Sequence, residues 1–310
     1  IEMKVWQIWG NHQKHFRYAL EDFLKECSFN EEILLLCPEE CDIGLDFNYT
    51  LLKKYKNLKI VFGGFDSNFK IYKNKKTVLW PNYFMYHAVY TRDSDIIETS
   101  PNNLKYLFTC MNRFPKIHRS LLMDKLSKYN LLDVGTYSWH EKSNFKYKFW
   151  KETINTLDGK FIGQQNKFPP QMYESCIDLI TESVIDTPFI TEKTYNAILF
   201  KKPFIIFGYP NTHKYLESIG YKMPHEVIDY EFDSELNHNK RAEKISKELL
   251  RLSTYNYKDL YYKLQDSVEH NYEVLKRQVN SQFGIPDIVK SNNYYYNRIE
   301  ESVRKCKLDL

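Results

Sequence analysis

The sequence predicts an α/β protein built of two Rossmann-like domains that face each other across a cleft, followed by C-terminal helices. Three observations carry this. Short apolar runs alternate with helical periodicity along the first hundred residues, the pattern of a parallel sheet covered by helices. A second such series starts afresh at LKYLFTCMN, near residue 100. After Asp233 the composition turns helical and charged, in NKRAEKISKELLRLS and then KDLYYKLQDSVEHNYEVLKRQ. The expected divisions are residues 1–100, 101–265 and 266–310.

In the first series, MKVWQIWG reads as a short strand ending in a Gly-Asn turn. HFRYALEDFLKEC has helical spacing, with Phe16, Ala19, Leu20, Phe23 and Leu24 on one face. EEILLLCPEE supplies a second strand, stopped by Pro38, and LKIVFGG a third. Residues 70–100 are less regular. There WPNYFMYHAVY is expected as a helix packed on the sheet, with an acceptor-binding surface as the alternative. In the second series the strand LKYLFTCMN leads into the helical HRSLLMDKLSKY. LLDVGTYSW, DGKFIGQQ, SCIDLITES and PFIIFG follow as strands, with helices after Lys193 and at THKYLESIG. There is no internal repeat and no low-complexity linker.

With 310 residues, of which 43% are hydrophobic and 27% charged, the chain can bury a real core and keep a polar surface. No apolar run approaches the ~18 residues of a membrane span. IEMKVWQIWG lacks the basic and apolar regions of a signal peptide, and Met3 reads as a natural start, so a cytoplasmic protein is expected. Net charge is only +4, which argues little for nucleic acid and suits an anionic small molecule equally well. The 25 Tyr and 20 Phe suggest a groove on which a sugar or base stacks. Six cysteines are scattered without a C-x-x-C pair. Cys37 and Cys41 are the closest, and no second pair completes a zinc pattern, so reduced thiols and no metal are expected.

P-loop, G-x-G-x-x-G, G-x-S-x-G and H-E-x-x-H motifs are all missing. Asp93 and Asp95 in TRDSD have the D-x-D form that holds a metal and a diphosphate, but no apolar strand precedes them and a solvated turn is expected. Two segments remain. In CMNRFPKIHRSLLMDKLSKYNLLDVG, Arg113 and Arg119 bracket a helix start, where a guanidinium fork and the helix amides suit a phosphate. In TESVIDTPFITEK, Glu182 and Glu192 flank a turn and Lys193 follows, outside the carboxyl end of a strand. A carboxylate there can accept both hydroxyls of a ribose, and an ammonium can neutralise a diphosphate. An acid in a first helical turn is also simply favourable at the dipole.

Together these segments resemble the donor-binding half of the α-1,3-fucosyltransferases and related GT-B enzymes. That family shows an S-N…R…L…Y…V-D…G block, then E-N-x₅-Y-[VI]-T-E-K and a small-residue helix ending in P-[IV]-x-x-G. Here the blocks read MNRFPKIHRSLLMDKLSKYNLLDVG and ESVIDTPFITEKTYNAILFKKPFIIFG, spanning residues 105–210. The resemblance implies a GT-B-like fold, with an acceptor domain at 1–100 and a donor domain at 101–265. It places Arg119 on the donor diphosphate, Glu192 on the ribose and Lys193 on the phosphates. Asn112, Arg113, Glu182, Phe189 and Thr191 complete the donor set. Phe189 stands where the family prefers Tyr, and Ser183 where it has Asn.

What the resemblance implies is a hexosyl- or fucosyl-type glycosyltransferase taking a nucleotide-diphosphate sugar and a glycan or other hydroxyl acceptor, with neither metal nor cofactor. An acid of the first domain would deprotonate the acceptor; Glu98, Asp66 and Glu39 are candidates by position. Two alternatives stand beside this. One is a transferase acting on a DNA base, with Lys70, Lys73, Lys75 and Lys76 of KIYKNKKTV as phosphate contacts, although a plain lysine-rich surface hairpin is the expected reading of that segment. The other is a non-catalytic nucleotide-sugar-binding protein.

Overall fold

Among the described residues, eight strands form two four-stranded parallel sheets with helices around them, the α/β class expected from the alternating pattern. The structure is a computed structural model that describes residues 3–7, 20–39, 49–70, 73, 76–91, 99–112, 115–139, 144, 146–150 and 170–307. Strands β1 (Lys4–Gln7), β2 (Glu32–Cys37), β3 (Asn57–Phe62) and β4 (Thr77–Leu79) lie side by side in chain order. In β2 every residue after Glu32 is buried, because side chains on both faces meet apolar neighbours. Leu20 and Leu24, on helix α1 (described over residues 20–25), cover one face with Ile33 and Leu35. Leu34 and Leu36 point the other way, into a core continuous with the second half.

Helix α2 (Tyr49–Leu52) precedes β3, and α3 (Tyr83–Thr91) follows β4. WPNYFMYHAVY is thus a packed helix, as expected. The lysine-rich hairpin is not: β4 pairs with β3 in parallel, so the intervening segment is a crossover. Lys76 donates to the carbonyls of Leu52 and Tyr55 at the end of α2, which takes it out of the basic cluster. Lys70 and Lys73 are exposed, and Lys75 lies outside the described residues.

The second sheet contains β5 (Tyr106–Met111), β6 (Gly135–Ser138), β7 (Ser175–Thr181) and β8 (Phe204–Phe207), in the order β6-β5-β7-β8. From β5 the chain goes through helix α4 (Ile117–Lys128) to β6 on one side. It then returns through α5 (Pro170–Tyr173) to β7 on the other. The order reverses between β5 and β7, and their carboxyl ends flank a switch-point crevice. Helix α6 (Glu192–Leu199) joins β7 to β8, and α7 (Thr212–Ser218) follows. The expected strand DGKFIGQQ lies outside the described residues.

Four helices complete the chain: α8 (His238–Leu252), α9 (Tyr257–Asn280), α10 (Asp287–Lys290) and α11 (Asn293–Lys307). Asn237 and Asn256 cap α8 and α9 by accepting backbone N–H groups of the first turn. Helix α9 is continuous through residue 265. Helix α11 returns to the first half: Ser302 Oγ donates to the Tyr86 carbonyl at 2.9 Å and Lys305 Nζ to that of Tyr90 at 2.5 Å, both on α3. No described helix is long and apolar enough to cross a membrane.

The two halves meet in a tight seam. Gly64 pairs with Phe189 in an isolated antiparallel bridge, and Phe65 N–H donates to the Pro188 carbonyl at 3.0 Å. A Cβ on Gly63 would stand 2.4 Å from the Pro38 carbonyl oxygen and 2.6 Å from the Phe189 ring, so only glycine permits this approach. The buried Asn82, ahead of α3, accepts from the hydroxyls of Tyr195 and Tyr215, each at 3.3 Å. The segments that follow β2 and β3 on one side and β7 on the other thereby meet at this seam.

Candidate active site at the switch point

At the carboxyl end of β7, Glu182 is fully buried, and its carboxylate organises the start of α6. Oε1 accepts from Thr191 N at 3.1 Å and Thr194 Oγ1 at 2.8 Å, while Oε2 accepts from Thr191 Oγ1 at 2.6 Å and Ser183 N at 3.3 Å. Both oxygens are thereby occupied within the fold. At the end of β5, Asn112 is spent likewise. Its Oδ1 accepts from Thr181 Oγ1 at 2.5 Å, its Nδ2 donates to Cys110 Sγ at 3.2 Å, and its N–H donates to Ser138 Oγ at 3.0 Å. These two sequence-selected residues build the crevice wall.

Helix α4 is tied to the same wall. Lys116 Nζ donates to the Ser183 carbonyl at 2.7 Å, and the buried His118 donates through Nε2 to the Glu182 carbonyl at 2.9 Å. Burial pushes the His118 imidazole down to about 3; the carbonyl bond works against it, and Arg119 and Lys116 add to it. His118 is therefore neutral, with the Nε2–H tautomer set by its acceptor. Arg119, next along, is buried with its charge inside the crevice. Burial lowers its guanidinium from the usual value, while Cys110, Glu182 and Glu192 act to raise it. Three of the charged positions that the sequence singled out, Arg119, Glu182 and Glu192, thus share one electrostatic neighbourhood.

Glu192 is the first residue of α6, yet the helix start is satisfied by Glu182 instead. Its Oε1 pairs with Lys193 Nζ at 3.1 Å, and the same ammonium reaches Ser183 Oγ at 3.1 Å and Thr191 Oγ1 at 3.2 Å. Burial acts to raise the Glu192 carboxyl, but Lys193, its own backbone N–H and His87 outweigh it. The net position is below the usual carboxylate range. An ionised carboxylate and an ammonium therefore sit side by side, both partly exposed, at the mouth of the switch point. Phe189 lies elsewhere: its ring is buried in the seam, edge-on to Phe84 at 5.5 Å.

Opposite Glu192, in the first half, stands a group that sequence reasoning missed. His87 lies on α3, one turn beyond Tyr83 and Phe84, with ring centroids 5.8 and 5.7 Å away. Burial lowers its imidazole, opposed by the charges of Glu39 and Glu192 and assisted by Arg298. Two carboxylates from different halves thus act on this ring, Glu39 from just beyond β2 and Glu192 from α6. Of the positional base candidates, Glu39 is the one that shares this electrostatic influence on His87 with Glu192. Asp66 Oδ1 instead accepts from Asn68 N at 2.8 Å in a turn beyond β3. Glu98, Arg113, Asp93, Asp95 and Cys41 lie outside the described residues. The spacing of Tyr83 and His87 on one helical face was readable in YFMYHAVY, but nothing in it pointed to a partner on α6. Among the described residues no group of three His, Cys, Asp or Glu side chains clusters as a metal site.

Arg119, Glu192 and Lys193 thus gather at the switch point of the second sheet, and Glu39 stands just beyond β2 of the first. No family model matches the chain, and no curated protein does so by sequence. Among solved structures it is similar to a crystal structure of an α1,3-fucosyltransferase at 12% identity and a TM-score of 0.39, covering 86% of this chain and 78% of that chain. This is a distant likeness at the level of fold.

Proposed function

We propose that the chain is a GT-B-like glycosyltransferase that binds a nucleotide-diphosphate sugar at the β5/β7 switch point and transfers the sugar to an acceptor hydroxyl. The observation that carries this is the Glu192–Lys193 pair at the head of α6, in electrostatic reach of Arg119 and opposite Glu39. Glu192 accepts the two ribose hydroxyls, which an ionised carboxylate does bidentately. Lys193 and Arg119 bind the diphosphate and stabilise the charge that develops on it as the anomeric C–O bond breaks. Glu39 takes the acceptor proton as the acceptor oxygen forms the new bond to the anomeric carbon.

The test is calorimetric titration of GDP, UDP, CDP and TDP into the chain and into Lys193→Ala and Arg119→Ala. At least one nucleotide is expected to bind, and each variant to weaken it by ~1.5–3 kcal/mol, the value of a charged hydrogen bond. Binding of none of the four, or unchanged affinity in both variants, overturns the reading.

A further inference from the structure

Glu39 and Arg298 come from opposite ends of the chain and meet at Tyr83. The Tyr83 hydroxyl donates to Glu39 Oε1 at 2.5 Å. Arg298 Nη1 donates to the Tyr83 oxygen at 3.2 Å, and the same nitrogen lies 3.7 Å from Glu39 Oε1. The guanidinium is itself held between rings, 4.4 Å from the centroid of Tyr294 and 5.2 Å from that of Tyr90. A planar cation stacked in this way loses little freedom when it makes its polar contacts.

Burial, with the adjacent Glu39 charge, holds the Tyr83 phenol well above its usual value. Its hydroxyl therefore remains a donor throughout the working pH range and keeps Oε1 occupied. Among the described residues no donor reaches Oε2. The attachment of α11 to α3 is provided by other groups: Ser302 and Lys305 bind backbone carbonyls of α3, and Ile299 and Tyr295 lie in the core. Arg298 alone among these reaches toward a carboxylate.

We propose that Arg298 is a positioning residue for the Glu39 carboxylate: directly and through Tyr83 it fixes Oε1, so that Oε2 is the oxygen presented to an acceptor hydroxyl. This rests on the glycosyltransferase reading, in which Glu39 is the base. The C-terminal helix thus completes the acceptor half of the site. Among the described residues, the titratable and charged groups around Glu39 are Tyr83 and His87 on α3 and Tyr294, Tyr295 and Arg298 on α11.

The experiment follows the Glu39 carboxyl by carbon NMR in the full chain labelled at glutamate, assigned by its loss in Glu39→Gln. Titrations compare the parent with Arg298→Lys, Arg298→Gln and Tyr83→Phe. Removing a cation this close is expected to raise the midpoint by about one unit in Arg298→Gln. Arg298→Lys, which keeps the charge, restores at least half of that, and Tyr83→Phe raises the midpoint through loss of the Oε1 donor. An unchanged midpoint in both Arg298→Gln and Tyr83→Phe overturns the proposal. Release of nucleoside diphosphate from GDP-fucose and UDP-glucose is measured alongside. A roughly tenfold lower kcat in Arg298→Gln at unchanged donor KM supports positioning, since ~1.4 kcal/mol lost from the transition state alone has this effect. Failure of the parent chain to bind GDP, UDP, CDP or TDP refutes the transferase reading instead, while the titration still decides whether Arg298 holds Glu39.

Discussion

The carboxylate of Glu182 receives both the backbone N–H and the hydroxyl of Thr191, at 3.1 and 2.6 Å. One acid at the end of β7 therefore does the capping of α6, and the acid inside the helix, Glu192, is left with Lys193. Two glutamates that look alike in the sequence have different work, and their substitutions separate them.

Glu182→Ala strands Thr191 N–H and two threonine hydroxyls in a dry interior. Each buried donor left unpaired costs ~1–3 kcal/mol, so the variant is expected to lose about 3 kcal/mol or more. Glu182→Gln should lose less, because its one oxygen still accepts. Urea denaturation measures both; equal stability of Glu182→Ala and the parent chain would refute the capping role.

Glu192→Gln is expected to leave the melting temperature nearly unchanged, because the helix start does not depend on it. An amide accepts through one oxygen only, so bidentate ribose binding fails and nucleotide affinity falls about tenfold or more. Pyrophosphate, which has no ribose, should bind as before. A lower melting temperature with intact nucleotide binding would return Glu192 to a structural role.

His118 makes the fold acid-sensitive. Its folded value, about 3, is below that of the unfolded chain, near 6.5. Between those values the unfolded state binds a proton that the folded state does not. Stability contributed by the neutral ring is thus complete above about pH 6.5 and falls as the pH drops, by up to ~1.4 kcal/mol per unit. His118→Gln keeps a donor for the Glu182 carbonyl and removes the titration. Its denaturation midpoint should fall less than that of the parent between about pH 7 and pH 5. Parallel pH profiles would contradict the assignment.

Gly63→Ala puts a methyl group within 2.4 Å of the Pro38 carbonyl oxygen and 2.6 Å of the Phe189 ring. The neighbours are backbone and a buried ring, so neither yields cheaply, and overpacking of this kind costs ~1–3 kcal/mol. The seam should loosen first. Amide exchange at Gly64 and Phe65, where an N–H donates across the halves to Pro188, is expected to accelerate more than exchange in β7.

Much of this was legible in the chain itself. Apolar runs such as ILLLC and FIIF read as parallel strands because helices cover both sheet faces, which suppresses the polar alternation of a half-exposed sheet. The blocks around Arg119 and TEK were also readable, since strand, charged turn and helix start are local patterns. The hairpin expected at KIYKNKKTV failed for the opposite reason: strand direction is decided by pairing with β3, and no local signal states it.

What the sequence by itself determined is the order of elements and the charged residues at the carboxyl ends of the strands, because both follow from local periodicity and turn chemistry. Which of the polar and charged side chains there are consumed by the fold was decided only by tertiary structure. Glu182 and Asn112 satisfy buried donors, whereas Glu192 and Lys193 keep partly exposed surfaces. The surroundings of Glu39 were decided there too, since Glu39, His87 and Arg298 come from three elements, the last separated from Glu39 by most of the chain. A site whose members lie this far apart exists only once α11 has packed on α3, and the free energy for that packing comes from the shared core, which no local stretch encodes.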